Sequence, residues 1–178
     1  MMLPKLRGER AELIFMLAAS GRGLRISKPL GDSYPYDVIV DNRHTCWRVQ
    51  VKSNNQIADN GRYQVHATRA GQEKSYRKCD VDFLAFYLFR PKTWYIIPQS
   101  KIGRRFWVTL YAPGRRECGM FSQYFEAWHL LKQPKPCSLC LQARADPDGM
   151  NQKRTHRKSQ HRAPFRLENA KENTYALR

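Results

Sequence analysis

The stretch "YPYDVIVDNRHTCWRVQVKS", residues 34–53, decides how this chain is understood. Val38 and Val40, then Trp47, Val49 and Val51, alternate with other residues at period two, the repeat of a strand with one buried face. Between the two runs lies "DNRHT", so the stretch predicts a β-hairpin with strands near 36–40 and 46–52. The residues between the apolar positions are less ordinary. Asp37 heads the first strand, and Gln50 and Lys52 share a face of the second because side chains two apart point the same way. This set is either the solvated side of a half-buried hairpin or a site.

The residue types suit one kind of chemistry. Hydrolysis of a phosphodiester needs a divalent cation held by hard oxygen ligands and a group that orients water or offsets charge growing on phosphate. Asp37 offers a carboxylate, Gln50 an amide oxygen and Val51 its main-chain carbonyl, while Lys52 offers the positive charge. A helix just upstream adds Glu9 and Glu12, three residues apart on one general face. Either can join Asp37. Glu12 lies one turn inside the helix and is the better placed, whereas Glu9 has the ordinary alternative of sitting in the first turn for the helix dipole.

Working outward, "GERAELIFMLAAS" (8–20) predicts that helix, with Ala11, Ile14, Phe15, Ala18 and Ala19 near one face, Leu17 extending it and "SGRG" as the stop. A short strand is expected at 24–27, then a loop through "KPLGDSYP". Strands follow at 63–68, 81–89, 93–97 and 104–111. Phe83 to Phe89 is almost continuously apolar, as in a strand covered on both faces. Phe121 to Leu131 is expected to be a helix carrying Tyr124, Trp128 and Leu131 on one side. From Lys132 the pattern gives way to charged and polar residues, so the chain divides into a compact domain over 1–131 and a basic, disordered tail over 132–178.

The 178 residues carry 32 Lys and Arg against 15 Asp and Glu, a formal net charge of +17, and both parts are basic. Such an excess favours a polyanionic partner, nucleic acid above all. No apolar run approaches the length of a membrane span, and the first residues lack the order of a signal peptide. Five cysteines form no even framework, which fits a reducing cytoplasm. Cys118, His129, Cys137 and Cys140 include one C-x2-C pair, too thin a signature for a structural zinc ion to be expected.

"GERAE" (8–12), "ISKPLGDSYPYDVIVD" (26–41) and "WRVQVKS" (47–53) together resemble the PD-(D/E)XK endonuclease superfamily, especially the small group related to intron-encoded homing endonucleases. The likeness continues more weakly through "DVDFLAFYLFRPKTWYIIP" (80–98) and "YFEAWHLL" (124–131). It implies an α/β, restriction-endonuclease-like core with a central mixed sheet flanked by helices. It also implies Mg²⁺-dependent (or Mn²⁺-dependent) cleavage of double-stranded DNA, with roles for Glu12, Asp37, Gln50 and Lys52. Gln50 stands where the superfamily has an acidic residue, so it brings no charge to a metal. Phosphate contacts are expected from Lys74, Arg77 and Lys78 around Tyr76, and from Lys101, Arg104 and Arg105 beside Trp107. Cutting both strands calls for two active sites, hence a homo-oligomer. The rival expectation is a protein that keeps the fold and binds DNA without cutting it; RNA is a third partner.

Overall fold

The computed structural model describes residues 3–31, 33–56, 61–69, 74–114 and 119–135. Helix α1 (Pro4–Ser20) begins earlier than the apolar repeat suggests because Pro4, which lacks an N–H, suits the first helical position. Three strands follow: β1 (Arg25–Ser27), β2 (Val38–Asp41) and β3 (Cys46–Asn54). After them come β4 (Arg62–His66), β5 (Phe83–Leu88), β6 (Thr93–Pro98), the short α2 (Gln99–Ile102) and β7 (Trp107–Tyr111). A five-stranded mixed sheet has the order β1-β2-β3-β5-β6, and β4 pairs with β7 in a separate two-stranded ribbon. Only β3 and β5 run parallel, with Val49 opposite Phe83 and Lys52 opposite Phe86.

The core lies where the sheet meets α1. Ala11, Phe15 and Ala19, four residues apart, are the buried helix positions, and the two alanines let the helix lie close. Phe15 stacks on Trp128 at 5.4 Å and meets Trp94 edge-on at 5.3 Å. Leu17, expected to extend this face, is instead 77% exposed: it falls on the opposite side of the turn from Phe15 and Ala19. Every residue of β5 is buried, as its continuous apolar run requires. The hairpin turn closes on Asn42, whose side-chain oxygen accepts the N–H groups of His44 and Thr45, with Arg43 in the left-handed region.

The helix expected over 121–131 is broken. A 3₁₀ turn (Ser122–Tyr124) and α3 (His129–Lys132) flank Glu126, which has φ +48°. The Glu126 carboxylate accepts the backbone N–H of Trp94 and Nε1–H of Trp128, so it is anchored to β6 instead of continuing a helix. The apolar spacing still predicts burial, since Tyr124, Trp128 and Leu131 all lie in the core. Just beyond, Asn42 Nδ2 donates to the carbonyls of Leu131 and Gln133, and the Lys135 ammonium reaches Asp82 at 3.1 Å. The tail past Lys135, with Cys137 and Cys140, lies outside the described residues, as does Cys118; His129 is exposed at the start of α3. Cys46 and Cys79 are free thiols. Among the described residues no helix is long and apolar enough to cross a membrane.

Asp80 and Asp82 take structural roles. Asp82 accepts from the Arg48 backbone and Nε, both at 3.0 Å, while its own N–H donates to the Arg48 carbonyl, which pins β3 to the start of β5. Burial alone would raise this carboxyl, but the hydrogen bonds from Arg48 and Lys135 hold it below the usual carboxylate range. Its contribution is therefore present above that range and lost as acid protonates it. Asp82→Ala is expected to cost about 2 kcal/mol in urea unfolding at neutral pH, leaving Arg48 without its partner. An unchanged midpoint would mean the pair holds nothing together.

Candidate active site

Strand β2 leaves β3 at Asp37. The Asp37 N–H donates to the Val49 carbonyl at 3.0 Å, the last main-chain bond on that side. Two residues further along β3, the Val51 N–H donates to Asp37 Oδ2 at 2.7 Å, so a carboxylate stands where a strand carbonyl would. Gln50 Nε2 donates to the same Oδ2, and to the Val51 carbonyl at 3.3 Å. Asp37, Gln50 and the Val51 carbonyl thus converge at one end of the hairpin. Gln50 is only 9% exposed, so this residue is not part of a solvated face, while Asp37 is half-buried.

Lys52, next on the Gln50 face, is half-buried, with its ammonium 5.4 Å from the centre of the Tyr76 ring. Burial lowers its pKa and the Asp37 charge partly restores it. Asp37 moves the other way, raised to about 6. Burial is the main cause and the nearby Glu12 charge adds to it, against the Val51 N–H, Lys52 and Gln50, which lower it. Burial and Asp37 likewise raise the Tyr76 hydroxyl.

Glu12 and Glu9 line one cleft of about 380 Å³ with Lys28, Tyr34, Tyr36 and Asp37. Glu12 is half-buried and ion-paired to Lys28 at 2.8 Å, whereas Glu9 is exposed. Lys28 and Tyr76 carry no sequence signal for these positions. Lys28 sits in a loop distant along the chain from Glu12, and Tyr76 looks like the aromatic centre of an exposed basic patch. It is buried instead. Of that patch, Lys74 and Lys78 are exposed and Arg77 pairs with Asp80 at 2.9 Å. Lys101, Arg104 and Arg105 are exposed on and after α2. Gln99 Nε2 donates to the Tyr76 carbonyl at 2.6 Å, so both basic segments adjoin the Lys52 side of the site.

Among the described residues no three His, Cys, Asp or Glu side chains lie close enough to hold a metal between them. The donors that do converge are a carboxylate, an amide and a main-chain carbonyl. Half-buried Asp37 has another carboxylate nearby and a pKa raised against its charged form, so a hard dication suits the set.

A model of the PD-(D/E)XK endonuclease family matches residues 2–131. The chain belongs to this family. Its structure is similar to that of the bacterial homing endonuclease I-Ssp6803I, with 27% identity, a TM-score of 0.61, and coverage of 83% of this chain and 99% of that one. The Holliday junction resolvase Hjc of Archaeoglobus fulgidus also matches, at 16% identity and a TM-score of 0.40, covering 59% of this chain and 84% of that one. A search of the curated proteins finds no match. The mixed sheet flanked by helices is thus the restriction-endonuclease-like core of a PD-(D/E)XK endonuclease, and hydrolysis by a nuclease is the activity the family brings.

Proposed function

We propose that the chain is a divalent-metal-dependent endonuclease of double-stranded DNA, with its reacting groups at Glu12, Asp37, Gln50, Val51 and Lys52. The observation that carries this is the convergence of Asp37, Gln50 and the Val51 carbonyl at the point where β2 leaves β3, with Lys52 next on the strand. Mg²⁺ or Mn²⁺ held by Asp37, Gln50 and the Val51 carbonyl would supply positive charge beside the scissile phosphate and acidify a water molecule.

The protein's own groups do the rest. Lys52, poorly hydrated against Tyr76, presents an ammonium whose attraction to phosphate is little screened. It orients the attacking water and offsets charge that develops on the phosphate oxygens. A half-turn of the Gln50 amide exchanges Nε2 for Oε1 beside Asp37 and supplies a neutral oxygen ligand. Glu12, steadied by Lys28, accepts hydrogen bonds from water in the cleft. The exposed Lys74, Lys78, Lys101, Arg104 and Arg105 support backbone contacts to a duplex. Scission of both strands requires two such sites, so the working unit is a homo-oligomer.

The test is incubation of the purified full-length chain with plasmid and with four-way junction DNA, in Mg²⁺ and in EDTA. Cleavage is expected only with the metal. Glu12→Gln should slow it about 100-fold and Glu9→Gln less than about 5-fold, because only Glu12 is electrostatically coupled to Asp37. Binding without cleavage on every substrate would favour the non-catalytic reading, and equal effects of the two glutamate variants would remove Glu12 from the site.

A further inference from the structure

The β4–β7 ribbon stands outside the main sheet, and nothing in the proposed chemistry uses it. Its register is Arg62 opposite Tyr111, Gln64 opposite Thr109 and His66 opposite Trp107. The intervening Tyr63, Val65, Val108 and Leu110 are buried and fix the inner face to the core. The outer face therefore presents Arg62, Gln64 and His66 along one strand, all exposed, with Thr109 and Trp107 alongside. Trp107 is 49% exposed and its ring lies 3.4 Å from that of His66, centre to centre. Arg62 and Gln64 have no side-chain partner among the described residues.

The ribbon is tied to the site by main-chain contacts. Asn54, two residues beyond Lys52 on β3, donates from Nδ2 to the Gln64 carbonyl at 2.7 Å. After β4 the chain bridges Thr68 to Ser75, the neighbour of the Tyr76 that covers Lys52. Two residues of strand span about 7 Å, so Gln64 lies within a few base pairs of a phosphate held at Lys52.

Resting on the nuclease reading, we propose that the outer face of this ribbon enters the major groove of duplex DNA and reads base edges through Arg62, Gln64 and His66. The fit is dimensional and chemical. A two-stranded ribbon is narrow enough for the major groove, roughly 12 Å wide, and too broad for the minor groove. Side chains two apart on a strand, about 7 Å, step along the groove at close to two base pairs. Arginine and glutamine are the side chains that bond guanine and adenine in bidentate fashion, and a threonine methyl suits the methyl of thymine. The deep, narrow major groove of an RNA helix would not admit the same face.

The test uses the full-length chain and a library of duplexes with a randomised centre, selected for binding in EDTA so that bound molecules survive. The wild type is expected to enrich a motif. Gln64→Ala should relax preference about 10-fold at one base pair, with the remainder of the motif kept and affinity for bulk genomic DNA within about 2-fold. Gln64→Arg should move the preferred base at that position from adenine to guanine, a gain that a folding defect cannot produce. A wild type that enriches no motif, variants with an unchanged motif, or equal loss on all sequences would each overturn base reading by the ribbon. Enrichment of a structured RNA over duplex DNA in a parallel selection would overturn it too. Plasmid cleavage in Mg²⁺ is followed with the same proteins. If it persists while the motif is unaltered, only the ribbon proposal falls; if the wild type never cuts, the nuclease reading falls on its own.

Discussion

Lys52→Ala is expected to slow phosphodiester cleavage about 100- to 1000-fold in single turnover, while duplex affinity changes by less than about 3-fold. The two numbers separate because they draw on different charges. Affinity is shared among the many basic groups of a chain with net charge +17, and losing one alters it little. The rate depends on one ammonium in a poorly hydrated place. Lys52 is half-buried, its pKa is lowered by burial, and its ammonium lies 5.4 Å from the centre of the Tyr76 ring. A charge so placed acts on a neighbouring phosphate through less water than a surface lysine does. Lys52→Arg should recover less than about 10-fold of the loss, because a planar, longer guanidinium spreads the charge and cannot occupy the ammonium's position over Tyr76. Retention of cleavage within about 5-fold of wild type in Lys52→Ala would take Lys52 out of the chemistry.

How much of this was legible before the structure depends on distance along the chain. Asp37, Gln50, Val51 and Lys52 belong to one hairpin, so strand period and a single register bring them together, and the sequence displays both. The pairing of Glu12 with Lys28 and the cover of Lys52 by Tyr76 depend on how α1 and a loop fold back on the sheet, which no local pattern encodes. The same limit applies to β4 and β7. Each is visible as an alternating stretch, but their mutual pairing outside the main sheet is a tertiary choice. The helix expected over 121–131 fails for a related reason. Its apolar spacing correctly marks the buried residues, yet the Glu126 carboxylate finds better partners on Trp94 and Trp128 than a helix would offer.

Gln50 follows from the electrostatics around Asp37. A half-buried carboxylate already raised by desolvation and by Glu12 would be raised further by a third acid on the next strand. The amide avoids that repulsion and donates to Asp37 Oδ2 instead. Together with the Val51 N–H, this amide supplies two donors to that one oxygen. With a dication held there, it would leave Asp37 and Glu12 as the nearby negative charges.

Asp37→Asn is expected to abolish metal-dependent cleavage and, in EDTA at pH 8, to make the protein more stable than the wild type. The sign follows from the folded-state pKa of about 6 against an ordinary value of 3.8. The folded protein binds the Asp37 proton more tightly than the unfolded chain does, so protonation stabilises it fully below pH 3.8 and that benefit disappears as pH rises through about 6. Two pH units of displacement correspond to about 3 kcal/mol at most, and the variant should recover about 1–2 kcal/mol of it, because asparagine still accepts the Val51 N–H. Thermal melts of both proteins from about pH 3.5 to 8 in EDTA measure this directly: the curves should converge near pH 3.8, separate as pH rises to about 6 and run parallel above it, with the variant higher. Adding Mg²⁺ at pH 8 should then raise the wild type alone, since a cation bound only by the folded state stabilises it by mass action. A variant less stable than the wild type at every pH would mean that Asp37 holds the hairpin together and is not a strained carboxylate awaiting a cation. An equal Mg²⁺ response in the two proteins would move the metal away from Asp37.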